Sequence, residues 1–274
     1  MQYDSYCWLL NYALMNKVFK IFLFGFFIIL LSCNKDVDLN DNNPTLSKRS
    51  ILLLNSYPVA IDEPSGLCFY RNGTLLTVDD NSNKVFQIDK QGNILREFPF
   101  QGNDLEGVAA DTTTGKIWVV NEGDRKLIAL DSSGTFIKEY HIDIQGSNSN
   151  KGLEGLSYDV AGNMFYLVNE GEPKLLVKWN AATEKVVSSK EVSYGEDNSG
   201  IFYDASSSAL WILSDKSQKL VSTDLNGTLK DEFSLDYDKA EGIVVDEVNK
   251  LVYIIRDKNA PERLYVYSLV ETTE

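Results

Sequence analysis

Carboxylates recur in this sequence in two registers. Glu106, Glu154 and Glu241 each stand directly before a glycine, and Ser65 and Ser199 hold the same place in two related segments. A second series, Asp80, Glu122, Glu170, Asp215 and Asp257, closes short apolar runs farther along each segment. Gathered at one place, these eight acids would repel one another by kilocalories each in partly screened surroundings. A divalent cation removes that cost. Calcium accepts ~6–8 hard oxygens in flexible geometry, whereas magnesium demands a tighter octahedron and zinc usually recruits His or Cys. Calcium is therefore the expected cofactor, with other divalent cations compatible. Asn121 and Asn169 sit beside Glu122 and Glu170 and offer neutral oxygens, as Ser65 and Ser199 offer hydroxyls. Arg256, Lys216 and Lys258 lie close in sequence and would temper the negative potential or grip an anionic ligand. The competing reading is structural: each Glu-Gly pair starts a strand, the glycine permits close approach, and the glutamate hydrogen-bonds a neighbouring segment's amides.

Composition removes other chemistries. The chain has 274 residues and a formal net charge of −14, which argues against a nucleic-acid partner. Its apolar content of 43% is enough for a sizeable core. The single histidine, His141, would have to anchor any Ser-His-Asp or Cys-His nucleophile. It falls in a predicted outer strand, where solvent exposure is expected. Cys7, Cys33 and Cys68 show neither zinc nor redox spacing, and Cys68 lies between Leu67 and Phe69 as a core residue would. Ser65 and Ser199 lack a base to activate them. No catalytic residue is assigned.

The elements that must position the acids are repeats. Five segments open on Ser65-Gly66, Glu106-Gly107, Glu154-Gly155, Ser199-Gly200 and Glu241-Gly242, at intervals of 41, 48, 45 and 42 residues. Each continues through three short runs rich in β-branched and aromatic residues, and a fourth completes most of them. Turns ending in Gly92, Gly134 and Gly227 link the third and fourth runs. Four short strands per unit of ~40–50 residues indicate an all-β fold, a β-propeller. The fifth unit has three strands, and the missing fourth has a donor in residues 50–57. Five blades closed by an N-terminal strand are expected, with six as the runner-up. In a propeller the first strand of each blade lines the channel and the second returns to the face where the first began. Both acidic series then meet at one mouth. Asp111, Asp159, Asp204 and Asp246 fall at the other face, as turn formers. Trp118 and Trp211 hold matching second-strand positions suited to packing between blades.

The N-terminus reads as an export signal. Lys17 and Lys20 precede an apolar run over residues 21–31, too short for a membrane span and right for a signal core. It ends at Leu30-Leu31-Ser32-Cys33, which resembles the bacterial lipoprotein signal and implies lipidation of Cys33. The expected organisation is a signal peptide over 1–32, with 1–14 as an upstream extension, then a polar tether over 33–48 and the propeller over 49–274. An exported, membrane-anchored lipoprotein of periplasm or cell surface follows.

Asp104-Leu105-Glu106-Gly107, Gly152-Leu153-Glu154-Gly155, Asn198-Ser199-Gly200 and Ala240-Glu241-Gly242 follow one another in order, with Glu122, Glu170, Asp215 and Asp257 closing the second runs. This pattern resembles the SdiA-regulated (YjiK/CarP) family over about residues 50–269, and more distantly NHL-repeat propellers. The resemblance implies a five-bladed propeller with bound calcium and a link to calcium homeostasis in some members. It supports Glu106, Glu154, Glu122 and Glu170 best as ligands, while Ser65 and Ser199 break the acidic ring. The expected function is binding or sensing through calcium. The alternatives are a metal-dependent hydrolase of lactones, esters or phosphoesters, with Glu122 or Glu170 as base, and a scaffold for protein or glycan.

Overall fold

The computed structural model describes residues 47–144, 152–257 and 262–273; Cys33, the signal segment, the tether before Ser47 and Lys258 lie outside them. The repeated runs form strands in five four-stranded antiparallel sheets. The first blade is β2 (Pro64–Phe69), β3 (Leu75–Asp79), β4 (Lys84–Ile88) and β5 (Ile94–Glu97). The second is β6 (Leu105–Ala110), β7 (Ile117–Asn121), β8 (Lys126–Leu130) and β9 (Phe136–His141). The third is β10 (Leu153–Asp159), β11 (Met164–Asn169), β12 (Leu175–Asn180) and β13 (Lys185–Glu191). The fourth is β14 (Gly200–Asp204), β15 (Ala209–Ser214), β16 (Lys219–Thr223) and β17 (Leu229–Ser234). The fifth holds β18 (Ala240–Asp246), β19 (Leu251–Arg256) and β20 (Glu262–Thr273), and its fourth strand is β1 (Ser47–Pro58). β1 runs antiparallel to β20 from Ser47 opposite Thr273 to Pro58 opposite Glu262. The N-terminal strand thus closes the ring, and the sixth blade of the alternative reading is absent among the described residues.

The innermost strands meet backbone to backbone around the axis. A Cβ added at Gly107 would lie 2.7 Å from the carbonyl oxygen of Glu154, and one at Gly242 2.4 Å from Gly66 C. No side chain fits there, so the glycine after each Ser or Glu is a packing requirement. Ser65 and Ser199 use their hydroxyls to bind the neighbouring blade: Ser65 Oγ donates to the Glu106 carbonyl at 2.7 Å, and Ser199 Oγ to the Ala240 carbonyl at 2.6 Å. Ser199→Ala would leave that buried carbonyl unpaired, so the variant should lose about 1–2 kcal/mol. A lower denaturant midpoint with an unchanged slope is the expected reading, and an unmoved midpoint would contradict it.

The core lies between blades. Five apolar clusters fill the five junctions. Trp118 of the second blade packs edge-on against Phe165 of the third, with ring centroids 5.3 Å apart. Trp211 of the fourth blade is fully buried among Ile243, Val245 and Ile254 of the fifth. The aspartates at the far face form turns. Asp111 accepts from the Thr113 amide at 2.8 Å and the Thr114 hydroxyl at 2.6 Å, and Asp246 accepts from the Asn249 amide at 3.0 Å. Asp159 and Asp204 cap their turns in the same manner.

Candidate metal centre

Each blade delivers side chains to one mouth from the start of its first strand and the end of its second. Antiparallel pairing sets these ends together: Leu105 opposite Asn121, Leu153 opposite Asn169 and Ala240 opposite Arg256. A third contribution comes two positions before each Ser or Glu of the inner series, from Glu63, Asp104, Gly152, Asp197 and Lys239. The result is a cavity of about 330 Å³ whose lining includes nine carboxylates and two lysines. Nine of the thirteen residues anticipated for metal or ligand at the mouth line it: Asp80, Glu106, Glu154, Glu170, Asp215, Glu241, Asp257, Ser65 and Ser199. Glu122 is buried against them, close to Glu154 and Glu170.

The ring is not uniform. On the first three blades the acids form two triads, Asp80 with Asp104 and Glu106, and Glu122 with Glu154 and Glu170. Within each triad one carboxylate oxygen per residue lies within 4.8 Å of the others. On the last two blades lysines stand among the acids. Lys216 reaches the Glu170 carboxylate and lies 3.9 Å from Asp197, which also accepts from the Ser214 hydroxyl. Lys239 lies 3.9 Å from Asp215 and 4.0 Å from Asp257, and its amide donates to Asp215. The negative potential therefore concentrates on the side of the triads.

Burial and mutual repulsion raise the pKa values there. Burial, then the Glu106, Glu122, Glu241 and Glu170 charges, hold the Glu154 carboxyl well above the usual range. Glu106 is raised by burial and then by the Asp80 charge. Burial and Asp215 push Glu241 up to about 8, although Lys239 pulls it down. Burial and Asp104 push Asp80 up to about 6. Glu122 is raised by burial, against the Gly152 amide that donates to it at 2.7 Å. Groups of this kind favour their protonated form.

The donor set fits a hard divalent cation. Two oxygens on one calcium are separated by at most twice its ~2.3–2.6 Å bond length, or about 5 Å, and each triad falls inside that reach. The softer donors lie elsewhere: His141 is exposed on the outermost strand β9, and Cys68 is buried in the core with its thiol raised by desolvation. Glu122, Glu154 and Glu170 form the more buried triad, and Asp80, Asp104 and Glu106 the half-buried one.

Three anticipated ligands turn away from the cavity. Asn121 donates to the Asn103 carbonyl at 2.6 Å and accepts from the Asp124 amide at 2.7 Å. Asn169 donates to the Gly171 and Pro173 carbonyls and accepts from the Leu175 amide at 2.6 Å. Both carboxamides shape the turn after their strand. Arg256 lies over the Tyr237 ring and donates to Asp238 at 2.6 Å. Glu63, Asp104, Asp197 and Lys239 belong to the mouth without having been singled out as ligands. Their signal was a column of the repeat, two residues upstream of each Ser-Gly or Glu-Gly.

Two solved structures are similar to this chain. Glutaminyl cyclase of Myxococcus xanthus superposes with a TM-score of 0.62 at 15% identity, covering 82% of this chain and 99% of that one. A virginiamycin B lyase of Staphylococcus aureus is similar with a TM-score of 0.49 at 16% identity, over 76% of this chain and 66% of that one. At 15% identity the likeness to the cyclase is one of fold. No curated protein sequence matches this one. The family model described as SdiA-regulated matches residues 53–268, from within the closing strand β1 to within β20, so this chain belongs to the SdiA-regulated family.

Proposed function

We propose that this protein is an exported, lipid-anchored propeller that binds a calcium ion at its acidic mouth and acts as a binding or sensing module, in keeping with the link to calcium homeostasis that the family resemblance implies. The observation that carries the reading is the pair of carboxylate triads, whose oxygens lie within 4.8 Å of one another. Glu122, Glu154 and Glu170 would hold the ion, with Asp80, Asp104 and Glu106 as a second group of donors beside them. The signal-like run over residues 21–31 and the lipobox-like end at Cys33 support export and anchoring.

Calorimetric titration of the protein with calcium tests the ion. Binding at or below millimolar calcium, lost in Glu154→Gln, is expected. No heat at millimolar calcium would remove the reading. Lys216 sharpens the test, because its ammonium already lies against Glu170 and must give way to an ion there. Lys216→Met should tighten calcium binding by roughly tenfold, the effect of one competing charge near a partly buried site. Weaker binding in that variant would contradict the assignment of Glu170.

A hydrolase is the second reading, favoured by the carboxyls of raised pKa. A bound ion would supply Lewis-acid polarisation of a substrate oxygen. Glu241, its carboxyl pushed up to about 8 by burial and Asp215, lies in the same cavity and is suited to donate a proton to a leaving group. Lactones and phosphoesters assayed with calcium and with chelator decide between the two. Turnover that chelator abolishes favours the enzyme, and background rates in both favour the binding module.

A further inference from the structure

Among the described residues, the exposed large aliphatic and aromatic side chains lie on the half of the propeller away from the mouth. Leu52 and Leu53 pair at the level of the start of β19, and Leu54 stands in the bulge that follows them. Ile94 and Leu95 open β5, Phe136 and Ile137 open β9, and Leu229 opens β17, each at the far face. Val187 lies near the start of β13, and Val160 and Val248 stand in far-face turns. On four of the five outermost strands a basic residue lies within two positions of the apolar ones: Arg96, Lys138, Lys185 and Lys230, all exposed. Lys138 also pairs with Glu184 across the blade junction.

We infer that this far-face rim is a docking surface for a lipid bilayer, so that the acidic mouth points away from the membrane. The inference rests on the export reading above and adds an orientation to it. Chain connectivity supplies the occupant. Ser47 begins β1 at the far face, so residues 34–46 join that face to Cys33. Thirteen residues span at most about 45 Å, a tether that holds the rim within reach of the surface to which Cys33 would be attached. Glu97, Glu139, Glu184 and Asp231 adjoin these bases, so the apolar side chains, which suit burial at the bilayer boundary, and not a net positive charge, carry the docking. The mouth, with its excess of carboxylates, is repelled by an anionic membrane surface.

The full chain, reconstituted with vesicles of equimolar phosphatidylethanolamine and phosphatidylglycerol, tests this. An environment-sensitive fluorophore is placed on Leu95→Cys or Ile137→Cys at the rim, and on Asp124→Cys in the exposed turn beside the mouth. The rim labels should brighten several-fold, shift to the blue and be quenched by brominated lipid, while the Asp124 label stays in water. Rim labels that behave like the Asp124 label overturn the docking. Rim labels that shift without vesicles as protein concentration rises overturn it in favour of self-association. Mass spectrometry of Cys33 reads the anchor separately. Rim labels in water on an acylated chain discard the docking and keep the anchor, whereas rim labels in lipid on an unacylated chain do the reverse.

Discussion

Glu154→Gln should raise the melting temperature of the metal-free protein and abolish the rise that calcium produces in the parent. Glu154 is buried, and burial and neighbouring acids favour its neutral form. Glutamine resembles that form without drawing a proton from neutral solution. The metal-free variant should gain about 1–3 kcal/mol, or several degrees for a domain of this size. The parent should gain about 4 kcal/mol when free calcium is a thousandfold above the dissociation constant. The variant forfeits most of that, because a neutral amide replaces a charged ligand in the buried triad. These opposite signs separate a ligand from a structural residue. A glutamate that merely braced the strand start would destabilise both states on substitution, and that outcome in thermal melts with chelator and with calcium would contradict the assignment.

Stability of the metal-free protein should fall as pH rises from about 5 to about 8, the reverse of ordinary acid denaturation. A carboxyl whose folded-state pKa lies above its unfolded value binds its proton more tightly in the fold. Its contribution is complete below the unfolded value and is lost as pH climbs through the folded one. For Glu241 that window runs from 4.5 to about 8, and for Asp80 from 3.8 to about 6. Glu106, Glu154 and Glu122 shift in the same direction. Aspartates lowered by turn hydrogen bonds, such as Asp89 and Asp111, act oppositely but complete their change at lower pH. The net loss should be on the order of 2–4 kcal/mol, allowing for groups that remain partly solvated. Saturating calcium should cancel the slope, since the ion replaces the protons and binds more tightly as pH rises. Melts across this range in chelator and in calcium check it; a chelated protein that grows more stable towards pH 8 would refute the repulsive mouth.

The fold was legible because every unit repeats the same local signals. The Ser-Gly and Glu-Gly starts, the β-branched second runs and the Gly92, Gly134 and Gly227 turns recur often enough to count blades. The deficit of one strand in the last unit pointed to β1. The convergence of the two acidic series was legible for the same reason, as strand direction places both at one face. The asymmetry was not. Whether an acid faces a lysine depends on contacts between blades, and the step from Lys216 on the fourth blade to Glu170 on the third crosses 46 residues. The asparagine side chains misled for a local reason. Beside an acid at a strand end, a carboxamide can point into the channel or cap the next turn, and Asn121 and Asn169 cap the turn. Glu63, Asp104, Asp197 and Lys239 escaped notice as site residues because their column varies in charge from blade to blade.

The most direct measurement is anomalous diffraction from crystals of the protein grown with calcium and with a lanthanide substitute. A peak is expected within reach of Glu122, Glu154 and Glu170, with the Lys216 ammonium displaced from Glu170. A mouth free of anomalous density at millimolar ion, with Lys216 still against Glu170, would contradict the claim that this ring of acids is built around a cation.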